Sequence, residues 1–165
     1  HLKRNGLIDK IGVSLHSNEE ISEVLKNDDV DLIQLPFNLL DNSSQRMKVL
    51  IKAKSKGIEV HTRSVFLQGL FFQDSNEIKG KLLEIKEDLN IIKGLVGKED
   101  MNDLALNYAY SKEYIDCVLL GVDSVDQLKS NINTIKNSKT EKFNHKVDNI
   151  VVKNNILLNP ANWNS

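Results

Sequence analysis

Four short apolar runs, each closing on a polar or glycine position, constrain this chain more than any other feature. They are Lys10-Ile11-Gly12-Val13-Ser14, Asp31-Leu32-Ile33-Gln34, the run that ends in Thr62-Arg63-Ser64-Val65-Phe66-Leu67-Gln68-Gly69, and Val118-Leu119-Leu120-Gly121. Segments with helical spacing separate them. Strands buried on both faces read as near-continuous apolar runs, and in a barrel of parallel strands only their C-terminal ends meet a ligand. Strands alternating with helices imply right-handed crossovers and a parallel sheet. A closed barrel shows eight such ends in about 250 residues. Four ends in 165 residues predict about half of one.

The local signals assign the elements. Ile8 to Ser14 reads as the first strand. Ser17-Asn18-Glu19-Glu20 is a capping-box pattern, and Ile21, Val24 and Leu25 give the following helix its apolar face. Val30 to Leu35 is the second strand, closed by Pro36. A second helix is expected from about Ser43 to Lys56, with Met47, Leu50 and Ile51 inward and Gly57 as its stop. Ile58 to Arg63 is the third strand. The segment from Ser64 to about Asn76 is too long for a plain connector and marks a functional loop. Leu82, Ile85, Leu89, Ile92 and Val96 form a stripe on the next helix, and another covers about Met101 to Ser111. Asp116 to Leu120 is the fourth strand. The helix from Ser124 to about Lys136 carries Val125, Leu128, Ile132 and Ile135 on one face. Residues 1–136 are thus expected to form the barrel half, and 137–165, ending Asn159-Pro160-Ala161-Asn162-Trp163, a tail packed over it. The fold class is α/β, a parallel (β/α)8 TIM-barrel type with four βα units present.

Composition narrows the function classes. The chain is 40% hydrophobic and 27% charged, with a formal net charge of −1. Interspersed charges of both signs give no electrostatic footprint for nucleic acid or an anionic membrane. No apolar run reaches the roughly 18 residues that span a bilayer, and no signal-peptide pattern opens the chain. Cys117 has no internal disulfide partner and is expected to be a small buried hydrophobe. A cytoplasmic location is the expectation. Leu2-Lys3-Arg4-Asn5-Gly6 reads as the last turn and cap of a helix, so residues are expected to precede His1. No metal-ligand spacing, phosphate-binding Walker loop or Ser-His-Asp arrangement appears.

Several of these segments together resemble the C-terminal half of the aldo-keto reductase family. The matching pieces are Ile11-Gly12-Val13-Ser14; Ile33-Gln34 with Pro36-Phe37-Asn38-Leu39-Leu40; Arg63-Ser64 with Leu67-Gln68-Gly69-Leu70; and Leu120-Gly121 with Gln127, Leu128 and Asn131. They follow the family's order and spacing from about residue 8 to residue 132. The closing Asn159–Trp163 segment resembles the tail of a bacterial subgroup associated with surface-sugar biosynthesis.

The resemblance implies a nicotinamide cofactor, NAD or NADP, held at these strand ends. Ser14 and Gln34 match the residues that hydrogen-bond the nicotinamide carboxamide and so choose the ring face that meets substrate. Ser64 to Gly69, with Phe66 and Gln68 inside it, matches the loop whose amides and serine hold the pyrophosphate; Gly69 permits close backbone approach. Val65-Phe66 replaces the family's usual Pro-Leu. Arg63 stands where many members carry an aromatic residue against the nicotinamide, and a guanidinium plane can stack or contact phosphate. Gln127 and Asn131, four apart on one helix face, match the adenine end. Many members place Lys or Arg just after the fourth strand for the 2′-phosphate of NADP. Here Gly121, Val122 and Asp123 stand there, which leans toward NAD. Lys129 is the nearby cation that offsets this.

The family's catalytic Asp, Tyr, Lys and His have no counterpart in this chain, so no catalytic residue is assigned. Tyr108, Tyr110 and Tyr114 are expected to be core or surface aromatics, and His16 and His61 structural. The expected function is the cofactor-binding half of an NAD(P)-dependent oxidoreductase that moves hydride to or from a small carbonyl or sugar-like substrate. Two alternatives stand beside it: a non-catalytic regulatory or scaffold protein with the same fold, and a half-barrel completed by self-association through its exposed sheet edges.

Overall fold

The computed structural model describes residues 1–137 and 140–163. Four strands form one sheet in the order β1-β2-β3-β4, and every pairing is parallel. They are β1 (Gly12–Ser14), β2 (Leu32–Pro36), β3 (Glu59–Arg63) and β4 (Cys117–Val118). The crossovers carry α1 (Asn18–Val24), then α2 (Ser43–Ser55), then α3 (Lys86–Lys93) with α4 (Met101–Tyr110). After β4 come α5 (Val125–Lys136) and the short α6 (Asn144–Asp148). This is a partial (β/α) barrel, as the alternating pattern predicts.

The strands are shorter than their apolar runs. β1 begins at Gly12 rather than Ile8, and Leu7 and Ile8 are exposed. The fourth is assigned only two residues, yet Asp116 N donates to Val60 O and Leu119 N to Thr62 O, which extends the pairing on both sides. The pleat sorts the side chains. Ile33, Leu35, Val60 and Thr62 are buried, while Ser14, Gln34, His61 and Cys117 occupy one rung of the opposite face. Cys117 is therefore exposed, against the expectation of burial, because it points to the open face of the sheet rather than toward the helices.

Local chemistry explains the helix starts. Ser17 Oγ accepts from Glu20 N at 3.1 Å, and Glu20 Oε2 accepts from Ser17 N at 3.0 Å and His16 N at 2.7 Å. The capping box read from the sequence thus opens α1 and turns the chain sharply out of β1. Those backbone donors hold the Glu20 carboxyl below its ordinary value. On α2 the buried face is Ser43, Arg46, Leu50 and Ala53. Met47 and Ile51, expected inward, are exposed at 43% and 51%; the inward stripe runs one residue earlier and includes an arginine.

The stripe expected on one helix over 82–96 is divided. A 3-10 turn covers Gly80–Ile85, and α3 begins at Lys86. Ile85, Leu89 and Ile92 are buried as the spacing predicts. On α5 the apolar residues Val125, Leu128 and Ile132 are exposed, and Asn131 is the buried position.

In the C-terminal segment, Val147, Ile150, Val152, Leu157 and Leu158 join the buried core. Asn42 Nδ2 donates to the carbonyls of Val147 at 3.0 Å and Ile150 at 2.9 Å, which fastens α6 to the first turn of α2. Trp163 Nε1 donates to Leu157 O. Of the tail expected over 137–165, residues 138, 139, 164 and 165 lie outside the described residues. Among the described residues no helix is long and apolar enough to cross a membrane.

Candidate functional site

The loop after β3 has an unusual backbone. Ser64, Leu67 and Gln68 have φ of 63°, 45° and 52°, and Gly69 has 81°. For residues other than glycine the left-handed region costs about 1–2 kcal/mol each, because Cβ crowds the following carbonyl oxygen. Such strain persists where surrounding structure overrides it, and it clusters at ligand sites. Here the turn is held by Leu67 N donating to Ser64 O and Gly69 N to Phe66 O, while Val65, Leu67, Leu70 and Phe71 anchor it in the core. The sequence marks this segment by length and by Gly69. It does not show that three residues with a Cβ share the glycine's conformation.

This loop walls a cleft of about 680 Å³. The opposite wall is Leu119, Leu120, Gly121 and Asp123 after β4, with Gln127, Ser130 and Asn131 from α5 and Asn102 from α4. Six of the residues singled out in the sequence therefore meet in one place: Ser64, Phe66, Gln68, Gly69, Gln127 and Asn131. The volume lies within the roughly 300–1,000 Å³ of small-molecule and cofactor sites. Ser130, three residues after Gln127, belongs to the same helix face and was within reach of the helical-spacing argument. Asn102 was not: its amide donates to Asn131 Oδ1 from 29 positions away in sequence.

The electrostatics of the cleft are plain. Asp123 is the one charged residue among its lining side chains. Ser124 Oγ accepts from Gln127 N and caps α5, and Gln127 Oε1 accepts from Asp123 N at 2.8 Å. The cap directs the positive end of the α5 dipole toward this cleft. Gln127 thus shapes the turn with its carbonyl, leaving its NH2 group for a ligand.

Ser14, Gln34 and Arg63 do not line that cleft. Ser14 and Gln34 pair in register on β1 and β2, and His61 continues the same rung on β3. Arg63 ends β3 opposite Pro36, on the same face as His61 and two residues nearer the rim. Its Nη1 donates to Ser64 Oγ at 3.4 Å and its Nη2 to His16 Nε2 at 3.1 Å. His16, expected to be merely structural, is brought to the rim by the turn between β1 and α1. It borders a second recess of about 280 Å³ lined also by Pro36, Asn155, Ile156 and Asn159.

The tyrosines divide by burial. Tyr108 is fully buried, Tyr114 partly, and Tyr110 is exposed. Tyr108 Oη donates to Asp148 Oδ1 and accepts from Ser43 N, and Lys112 pairs with Asp148 at 2.9 Å. Burial, then the Asp148 carboxylate, pushes the Tyr108 phenol far above its ordinary value. This network locks α4 to α2 and α6. Among the described residues no group of three His, Cys, Asp or Glu side chains is placed to hold a metal ion.

A parallel βα half-barrel with its strained loop and cleft at the C-terminal strand ends defines a class of barrel proteins that bind ligands at that rim. Comparison with known families narrows it: the model of the aldo/keto reductase family matches residues 1–152, and the chain belongs to that family. Among solved structures, it is similar to aldo-keto reductase AKR11C1 from Bacillus halodurans. The apo form is 23% identical with a TM-score of 0.73, over 91% of this chain and 53% of that one. The holo form is 22% identical with a TM-score of 0.73, over 92% of this chain and 54% of that one. The chain thus spans about half the length of these structures, and at such identity the likeness is one of fold. No curated protein matches it by sequence.

Proposed function

We propose that this chain is the cofactor-holding part of an NAD(P)-dependent oxidoreductase of the aldo/keto reductase type. In this reading residues 1–136 are the barrel half, 137–165 the tail packed on it, and the acid–base residues of the reaction lie outside the chain. The observation that carries the reading is the cleft of about 680 Å³ between the left-handed Ser64–Gly69 loop and the cap of α5.

The residues present fit a dinucleotide. Left-handed backbone at successive positions makes a concavity of amides suited to an anion, and a helix N-terminus adds to it. Ser64, Phe66 and Gln68 would hold the diphosphate this way, with Gly69, whose N–H is spent on Phe66 O, permitting close approach and no lysine or arginine in the lining. Gln127 and Asn131 would take the adenine, and Asp123 a ribose hydroxyl. Ser14 and Gln34 would orient the carboxamide, with Arg63 beside the ring. A bound nicotinamide supplies or accepts the hydride, and a carbonyl or sugar-like compound is the substrate class. Asp123 is the only charge in the lining and repels a 2′-phosphate, which favours NAD over NADP.

Titration of the chain with NADH and with NADPH, read by nicotinamide fluorescence, tests this. NADH binding that weakens in Asn131→Ala and in Gly69→Val supports the reading, and tighter binding of NADPH overturns the NAD preference. The regulatory alternative draws on the missing cation in the cleft; absence of binding of either dinucleotide favours it. Carbonyl reduction by this chain alone overturns the assignment of the proton donor to residues outside it.

A further inference from the structure

Arg63 stands between two recesses and, among the described residues, makes no ion pair. Its Nη1 donates to Ser64 Oγ on the wall of the large cleft, and its Nη2 to His16 Nε2 on the wall of the smaller recess. A guanidinium has no acceptor, so His16 Nε2 must accept and the ring proton sits on Nδ1. Both partners are neutral. Among the described residues no carboxylate lies within ion-pair distance of Arg63. A guanidinium whose hydrogen bonds go to neutral partners keeps its charge available to a ligand. Its neighbour Arg46 is different: that fork is spent on Asp41, with Asn18 and the His16 carbonyl taking the rest. The Asp41 charge is thereby answered chiefly by Arg46, and Arg63 acts on it only at longer range.

Two anions compete for Arg63: the dinucleotide's diphosphate and a carboxylate on the substrate. The pleat sets Arg63 on the face of Ser14, Gln34 and His61, about 7 Å beyond their rung at 3.3 Å per residue. From the end of β3 its Nη2 reaches across to His16, two residues past the end of β1, while its Nη1 stays on Ser64. Neither the large cleft nor the smaller recess has Arg63 in its lining; it stands on the rim between them. The recess bordered by His16 is lined by amides, apolar groups and the mutually paired Asp41 and Arg46, with room for a small organic molecule. A planar fork with free N–H donors matches a planar carboxylate, which it can bind bidentately.

We propose that Arg63, steadied by His16, is the recognition site for a carboxylate on the substrate, a small aldehyde or ketone that carries a carboxylate group. The proposal rests on the cofactor reading only for placing the carbonyl near Ser14 and Gln34. His16 acts as a positioning residue: with Ser64 on the other side it fixes the plane of the fork at the rim.

The test uses the chain without dinucleotide, titrated with oxalate, with neutral acetamide and with inorganic phosphate. The readout is the NMR resonances of Arg63 Nε–H and the His16 ring. Oxalate is expected to shift both saturably and acetamide neither. Arg63→Gln and Arg63→Lys should each weaken oxalate at least about tenfold, the size of a lost charge-assisted hydrogen-bond pair, and His16→Gln less. Oxalate binding unchanged in both Arg63 variants overturns the proposal. So does phosphate binding tighter than oxalate and displaced by NADH, which assigns Arg63 to the diphosphate. If NADH fails to bind while oxalate still requires Arg63, the cofactor reading falls and the carboxylate site stands.

Discussion

Arg46 holds Asp41 through two parallel hydrogen bonds, Nε to Oδ1 at 2.5 Å and Nη2 to Oδ2 at 2.7 Å, with both side chains buried. The same guanidinium reaches Asn18 Oδ1 and the His16 carbonyl, so one side chain ties α2 to the end of β1. Removing one partner of a buried pair leaves an uncompensated charge. Arg46→Ala is expected to cost about 3–5 kcal/mol of unfolding free energy, and the double change Asp41→Asn with Arg46→Met to recover most of it. Urea denaturation reads both; a loss below about 1 kcal/mol contradicts a buried, ionised pair.

Asp148 predicts how stability depends on acid. Burial raises its carboxyl, but hydrogen bonds from Ser43, Tyr108 and Lys112 outweigh this and hold it below the ordinary 3.8. A carboxyl depressed in the folded state contributes stability that is complete above its unfolded value and lost as pH falls through the folded one. Asp148→Asn should therefore lower the urea midpoint at neutral pH and flatten its decline below about pH 4. An unchanged acid limb rules out this source. Tyr108 gives the opposite limb: its raised phenol favours the folded state up to its ordinary 10.0, and that contribution fades at higher pH as the unfolded phenol ionises.

The strained loop predicts a trade between stability and binding. Gln68→Gly relieves a left-handed side chain and should stabilise the chain by about 1 kcal/mol, while weakening dinucleotide binding because the loop amides are less fixed. Gly69→Ala should cost about 1–2 kcal/mol through φ alone, since no atom lies within 4 Å of the added Cβ. Denaturant midpoints and an NADH titration on the same variants measure the two effects. A Gln68→Gly chain that is both more stable and a better binder contradicts the role given to the strain.

Cys117 predicts a chemical result. Exposed on the open sheet face beside His61, its thiol should react with a thiol reagent in the native chain as fast as after unfolding, within a few fold. Strong native protection would mean that something covers this face in solution.

The sequence displayed the strand ends, the Ser17 capping box and the unusual length of the segment after β3, because each is a local pattern of spacing and residue type. Other features depend on partners distant in the chain. Arg46 could be read as inward only by knowing that Asp41 turns back toward it; without that partner, Met47 and Ile51 are the natural choice for a buried stripe. The left-handed Ser64, Leu67 and Gln68 carry no residue signature, since their backbone is imposed by the anchoring of Val65 and Leu70. Asn102 entered the cleft through the packing of α4 on α5, which spacing within either helix does not encode.

The rung Ser14–Gln34–His61–Cys117 has one more consequence. Side chains alternate along a strand, so a slip of β2 by one residue would send Gln34 among the helices and present Ile33 or Leu35 beside Ser14. The weight that prevents such a slip is borne by Ile33, Leu35 and Val60, all fully buried on the far side of the sheet. Residues that no ligand can reach therefore decide which chemistry the open face offers. Substitutions among them would be felt first as a change of address for the polar groups, and only second as a loss of packing.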